Sequence, residues 1–504
     1  MLSVCSVVKS SAKQKVAIVG SGFLGMTLAL RLAEQGNDVT VYEAASEIGG
    51  LASAWQIGDA VWDKHYHVTL LSDSRTRKLV EDLGLSDEFR WVETKTGFYT
   101  DGQLVSMSDT MEFLNFPALD LISKLRLGFT IFYASRVKDW KALEKIKVED
   151  WLVGLSGRKT FEKIWKPLLI AKLGLAYKET SAAFIWATIQ RMYAARNSGL
   201  KKEMFGYVRG GYARVLKRFA EVLEQKGVDV RLNAPIDTVE KLAGGKFRIA
   251  TAVARRKRDT KPIALKQQPK YGYMKVAAGV ASGFSGGFIT EPQPDTTRIV
   301  DFRPKDEIFD TVVLTCASNV AARVAPQLKH HERQAMRNVR YQGIICASLL
   351  TRCSLSPYYV TNITDDAPFT GVIEMSALVD KREFDGNALI YLPKYVAPDD
   401  ELFDKSDDEI KEIFLGRLAE MYRNFKRADV IDFKISRVRQ VFPLPVVNYS
   451  DGLAPTQTSL DDLYVVNSSH IVNGTLNVNE TVQLAEKFIK GTFKQYRQDG
   501  QDTN

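Results

Sequence analysis

The residues with chemistry to do stand near the start of the chain. Gly20-Ser21-Gly22-Phe23-Leu24-Gly25 is a glycine-rich turn, and Glu43 follows 23 residues after Gly20. Gly20 permits a tight turn, Gly22 lets backbone come close to a diphosphate, and Gly25 lets a helix pack against the preceding strand. A helix that starts at this turn aims free N–H donors and the positive end of its dipole at phosphate oxygens. A carboxylate at Glu43 can accept hydrogen bonds from a ribose. Together the pieces read as a dinucleotide site.

The elements that must hold those residues are present in the pattern. Lys15-Val16-Ala17-Ile18-Val19 is a short apolar run suited to a buried parallel strand. Met26, Leu28, Ala29, Leu32 and Ala33 follow with helical character, and Gly36 supplies a stop. Asp38-Val39-Thr40-Val41-Tyr42 is a second strand that delivers Glu43 at its end. This context makes the glycine turn informative, but it leaves NAD and FAD undecided.

The next segment tips the balance. Glu43-Ala44 is followed by Gly49-Gly50-Leu51, and an acid with a glycine pair at this distance resembles the second signature of the FAD family that contains flavin amine oxidases, protoporphyrinogen oxidase and phytoene desaturases. Many members carry arginine after the glycine pair, where this chain has Leu51. The likeness continues in Gly210-Gly211 and the helix after it, in Val228–Leu232, and in Ile236, whose family counterpart lies at the adenine. It continues again in the strand Phe309–Thr315 and in a last strand at Leu463–Val466. Family members usually end that last strand in Ala-Gly-Asp; here the residues are Asn467-Ser468-Ser469, whose small polar groups could still bond the ribityl chain.

The resemblance implies an α/β fold, with a discontinuous Rossmann-like FAD-binding domain of glutathione reductase type and an α+β substrate-binding domain. The first is expected over 14–105, 206–325 and 455–492, and the second over 106–205 and 326–454. Residues 250–305, basic and then rich in glycine and serine, read as an insertion, and 1–13 and 493–504 as tails. The cofactor set implied is Gly20, Gly22, Phe23, Leu24, Gly25, Glu43, Ala44, Gly49, Gly50, Leu51, Ile236, Ser468, Leu476 and Val478. His65 and His67 stand where the family places residues near the isoalloxazine, and Tyr359 and Tyr391, with Tyr395, are the aromatic candidates for facing it. No third ligand accompanies the histidines, so no metal is expected.

The implied activity is hydride transfer from a C–H or C–N bond of a largely apolar small molecule to flavin N5, with oxygen or a quinone as electron acceptor. Redox-neutral branches, similar to UDP-galactopyranose mutase or carotenoid isomerase, are an alternative, and a non-catalytic FAD-binding partner protein is a second. No serine or cysteine nucleophile constellation is evident.

Composition sets outer bounds. The 504 residues carry 69 Lys and Arg against 60 Asp and Glu, with the basic excess concentrated near Arg255–Arg258, and no nucleic-acid motif accompanies it. Four scattered cysteines and an N-terminal run without an export signal suggest a cytoplasmic protein. The apolar stretch 114–133, interspersed with Lys124, Arg126, Arg136 and Lys138, is read as a helix packed on the core of the substrate domain. Peripheral contact with the inner face of a membrane is the other reading.

Overall fold

The computed structural model describes residues 13–108, 110–196, 204–252 and 307–493. Most of the expected insertion and all but the innermost residue of each expected tail lie outside them.

A five-stranded parallel sheet forms one centre. Its order is Asp229–Arg231, Asp38–Tyr42, Lys15–Val19, Thr311–Leu314 and Leu463–Val465. Val16, Ala17, Ile18, Val312 and Val313 are wholly buried, as strands covered on both faces require. One face carries the helices Phe23–Glu34, Gly211–Gln225 and Val478–Phe488, joined in one apolar cluster. The other carries an antiparallel meander of Ile236–Lys241, Phe247–Thr251 and Glu307–Phe309. Lys15–Val19 pairs with Asp38–Tyr42 on one side and Thr311–Leu314 on the other. Successive strands are therefore added on opposite sides of it, and at its carboxyl end this reversal of strand order opens a crevice of the kind that binds nucleotides.

A second, seven-stranded sheet runs in the order Val430–Pro443, Tyr341–Thr351, Ala388–Val396, Gly371–Glu374, Val360–Ile363, Thr96–Thr100 and Gln103–Ser106. The helices between 121 and 196 pack on one face of it, and Asp407–Met421 on the other through Ile410, Phe414 and Leu418.

Two features depart from expectation. Thr96–Thr100 and Gln103–Ser106, expected with the nucleotide-binding unit, join the second sheet, because Thr96–Tyr99 pairs in parallel with Val360–Ile363. The helix Leu121–Arg136, expected to pack its apolar face on the core, turns that face outward: Leu121, Ile122, Leu125, Phe129, Phe132 and Tyr133 are exposed. Among the described residues no helix is long and apolar enough to cross a membrane.

Candidate functional site

The glycine turn sits at the carboxyl end of Lys15–Val19, and each glycine has a separate steric reason. Gly20 adopts φ +110°, and a Cβ there would stand 2.6 Å from Thr315 Oγ1. A Cβ on Gly25 would meet the Gly20 carbonyl oxygen at 2.0 Å, so the helix can approach the turn only with glycine. Thr315, which the sequence did not single out, donates its hydroxyl to the carbonyls of Val19 and Gly20 at 2.8 and 3.2 Å.

Gly22 is different. Its φ of −66° suits any residue, and an added Cβ would find nothing within 4 Å. Fold geometry therefore places no demand on it; the open space beside it is what glycine preserves. The following helix has no side-chain cap and no acid in its first turn, leaving its N–H donors for an anion. Phe23 and Leu24 bury their side chains, so only their backbone N–H groups face this space.

The glycine pair closes the cradle from the other side. Gly49 N–H donates to the Ser21 carbonyl at 2.9 Å, and Gly22 and Gly49 form a parallel bridge. Gly49 has φ +107°, and a Cβ there would press to 2.5 Å on Leu216. Gly50 and half-buried Leu51 continue along the same rim.

Glu43 is fixed by this turn. Its carboxylate accepts from the Ser21 amide and hydroxyl, both at 2.8 Å, and from the Ala45 amide at 2.9 Å. Two carboxylate oxygens offer about four lone pairs, so capacity remains for a ribose hydroxyl. Ala44 is exposed beside it. Ala234 and Asn233 donate their amides to the carbonyls of Glu43 and Ala45, which brings buried Ile236 to this end of the crevice.

At the opposite end the last strand leads into Asn467-Ser468-Ser469. Asn467 is buried and fully engaged: Nδ2 donates to the Cys316 carbonyl at 2.8 Å, and Oδ1 accepts from the Ser469 amide and hydroxyl at 3.0 and 2.7 Å. Of the three, Asn467 and Ser469 thus tie two strand ends together, and only Ser468 keeps a half-exposed hydroxyl. Leu476 and Val478 are half-buried, the first packed on the apolar cluster of the second sheet and the second on that of the parallel sheet.

The histidines and tyrosines separate by role. His67 pairs with buried Asp63 at 3.5 Å and packs edge-on against Tyr212, while Asp63 accepts the Tyr212 amide at 2.8 Å. His65 is held by the Leu51 carbonyl at 3.1 Å from Nδ1, and burial with nearby His67 pushes its pKa down to about 4. Tyr391 is wholly buried and donates its hydroxyl to the Asp63 carbonyl at 2.5 Å, so it anchors the 63–67 segment. Tyr359 lies in the core against Phe205.

His67, with Asp63 and Tyr212, lines a small cavity beside Trp62 and Met375. A further polar group was not visible in the sequence. Lys172, on the helix Lys166–Leu173, places Nζ 3.7 Å from the centre of the Tyr395 ring and 5.2 Å from that of Phe442. It has no ion pair among the described residues. Burial pushes the amine's pKa down to about 7, and the side chain as a whole is half-buried. Tyr395 shares a 2.9 Å hydroxyl contact with Tyr66, the neighbour of His65, and burial pushes Tyr66 up to about 12. Lys172, Tyr395, Phe442 and Tyr66 form a contiguous cluster one residue from the histidine that touches Leu51.

The description "Flavin containing amine oxidoreductase" matches residues 25–260 and 290–475. The chain belongs to this family. Its cofactor is FAD, and the cradle at Gly22 with the acid at Glu43 fits that molecule's diphosphate and ribose. Among curated relatives, the chain is 26% identical to a zeta-carotene desaturase of Synechocystis sp. over 49% of its own length and 55% of the relative's. It is 28% identical to protoporphyrinogen oxidase 2 of Arabidopsis thaliana over 28% and 29%. The chain spans about half the length of the first curated relatives it matches. Solved structures share the fold over nearly the whole chain. An oxidoreductase from Methanosarcina mazei aligns with TM-score 0.67 at 15% identity, covering 94% of this chain and 100% of that one. Putrescine oxidase bound to putrescine gives 0.64 at 17%, covering 96% and 99%. Reduced UDP-galactopyranose mutase gives 0.66 at 13%, covering 95% and 96%.

Proposed function

We propose that this family member oxidises a largely apolar small molecule, with FAD laid across the crevice from Glu43 to Ser468. The carrying observation is Gly22, a glycine whose backbone does not need one and whose missing Cβ keeps the crevice open. Glu43, Ala44 and Ile236 would take the adenosine end. The Gly20–Gly25 turn and the Gly49-Gly50 pair would take the diphosphate, with Leu51 beside them. Ser468 would bond the ribityl chain, and Leu476 and Val478 would pack at the ring end.

FAD, when bound, supplies a two-electron acceptor for the hydride of a C–H bond, and oxygen or a quinone then takes up those electrons. Lys172 would receive the accompanying proton at Nζ, since its depressed pKa leaves a neutral amine available at and above pH about 7. Tyr395 and Phe442 would hold the substrate's apolar body and exclude water from that amine. His65, neutral in the working range, would keep Tyr66 and Leu51 in register.

The test is direct. Purified protein should carry flavin absorbance, and anaerobic addition of polyenes, amines or porphyrinogens should bleach it with one of these classes. A colourless protein that takes up no FAD would overturn the cofactor assignment. FAD binding with turnover that consumes no electron acceptor would overturn the oxidation.

A further inference from the structure

The helix Leu121–Arg136 packs Leu127, Ile131 and Ala134 on the core and shows the rest of its large apolar residues to the outside. Amphipathic helices of globular proteins bury their apolar stripe and show the polar one. Here the inward residues are Ser123, Lys124, Leu127, Thr130 and Ala134. The outward row includes Leu121 at 63% exposure, Ile122 at 72%, Leu125 at 64% and Phe129 at 55%, followed by Phe132 and Tyr133. Met111 and Leu114, on the preceding helical turn, are exposed as well.

This rotation is fixed by bonds on the inner face. Lys124 Nζ donates to the Leu114 carbonyl at 2.6 Å, and the Thr130 and Ser156 hydroxyls meet at 2.8 Å. Trp165 Nε1 donates to that Ser156 hydroxyl at 2.9 Å, and Gln190 Nε2 donates to the Ala134 carbonyl at 2.8 Å. Turning the helix to bury Ile122 and Phe129 would break the three contacts made by Lys124, Thr130 and the Ala134 carbonyl and leave buried partners such as the Ser156 hydroxyl without them. So large a contiguous apolar face is uncommon on a soluble monomer and marks a contact surface.

Charge selects the partner. Between 121 and 147, Arg126, Arg136, Lys138, Lys145 and Lys147 are exposed, and none has an ion pair among the described residues. The one exposed carboxylate in that span, Asp139, accepts the Ala142 amide as a helix cap. Asp120, just before the helix, is paired with Lys159. An apolar stripe of Leu, Ile and Phe edged by unpaired cations matches an anionic lipid surface, where apolar insertion and headgroup attraction add.

The geometry points to the helix Leu121–Arg136 as a membrane-docking element that lies in the headgroup layer of an anionic bilayer, with Ile122, Leu125, Phe129 and Phe132 inserted and Arg136 and Lys138 at the phosphates. This surface does not depend on the reaction proposed for the flavin crevice.

Flotation of the full chain with vesicles tests it. The wild type should float with phosphatidylglycerol–phosphatidylcholine vesicles, and weakly with phosphatidylcholine alone. The triple variant I122S/L125S/F129S should lose about tenfold or more of that partitioning, since each buried methylene adds to the anchoring. The altered side chains are exposed, so far-UV dichroism and Tm should match the wild type. The double variant R136E/K138E should weaken binding to anionic vesicles only. F129W should show a blue-shifted emission with anionic vesicles. Absence of wild-type flotation with anionic vesicles, or equal flotation of the triple variant, would overturn the proposal. So would a wild-type dimer that the triple variant converts to monomer with neither form floating, which would assign the face to a second copy of this chain.

Discussion

Lys172 sits over the face of Tyr395, its Nζ 3.7 Å from the ring centre, while the Tyr395 hydroxyl meets that of Tyr66 at 2.9 Å. A ring face attracts a cation, but burial disfavours the charged amine more strongly, and the balance leaves its pKa at about 7. The same amine can therefore be charged or neutral within the working pH range.

That balance gives a pH profile. Below about 7 the amine is charged and holds no lone pair, so kcat/KM should rise with pH through that value. The variant K172M should keep its FAD absorbance, lose about 10²–10⁴ in kcat, and lose the acid limb of the profile. A K172M enzyme with an unchanged limb would assign the titration to another group.

Gly22 and Gly25 should separate cofactor binding from folding. G22V fits the backbone and fills only open space, so Tm without added FAD should be unchanged while FAD affinity falls by about tenfold or more, equivalent to about 1.4 kcal/mol. G25A instead forces a Cβ onto the Gly20 carbonyl and should cost about 1–3 kcal/mol in urea unfolding even in apoprotein. FAD titration and urea curves on both variants check the contrast.

Asn467 predicts a stability loss that owes nothing to the flavin. N467A leaves the Cys316 carbonyl and the Ser469 amide without their partner in a buried site, and each such orphan costs about 1–3 kcal/mol. S468A removes a half-exposed hydroxyl and should leave apoprotein stability unchanged while weakening FAD. Equal effects of the two on apoprotein would contradict the division of labour.

His65 sets an acid dependence. Its pKa is about 4 folded, against an ordinary 6.5, so between those values the unfolded chain binds the extra proton. The stability linked to His65 is complete above about pH 6.5 and is lost as pH falls toward 4, with a limiting slope of about 1.4 kcal/mol per pH unit for one proton. His470, also pushed down by burial, adds in the same direction. H65Q should flatten the dependence of the urea midpoint over this window.

Some of this protein is written locally. The strand Lys15–Val19, the glycine turn and Glu43 lie within 30 residues of one another, and steric demands between near neighbours, such as Gly25 against Gly20, leave a direct mark in residue type. Gly49-Gly50 and the pairing of five apolar runs are legible for the same reason: a parallel strand must be apolar on both faces, and a backbone with positive φ favours glycine.

The rest depends on contacts between distant segments, which residue type records poorly. Lys172, Tyr395 and Tyr66 come from three separate elements, and nothing in the run around Lys172 distinguishes it from a surface lysine until packing removes its water. Tyr391 and Tyr395 are both tyrosines of one strand, yet different fates follow: one hydroxyl is spent on the Asp63 carbonyl and the other meets the Tyr66 hydroxyl. Thr96–Thr100 chooses its sheet through pairing with Val360–Ile363, more than 250 residues away. Periodicity showed that 121–136 has an apolar side, but a helix has no intrinsic inside. The core packing of Leu127, Ile131 and Ala134, with the hydrogen bonds of Lys124 and Thr130, decides which side faces out.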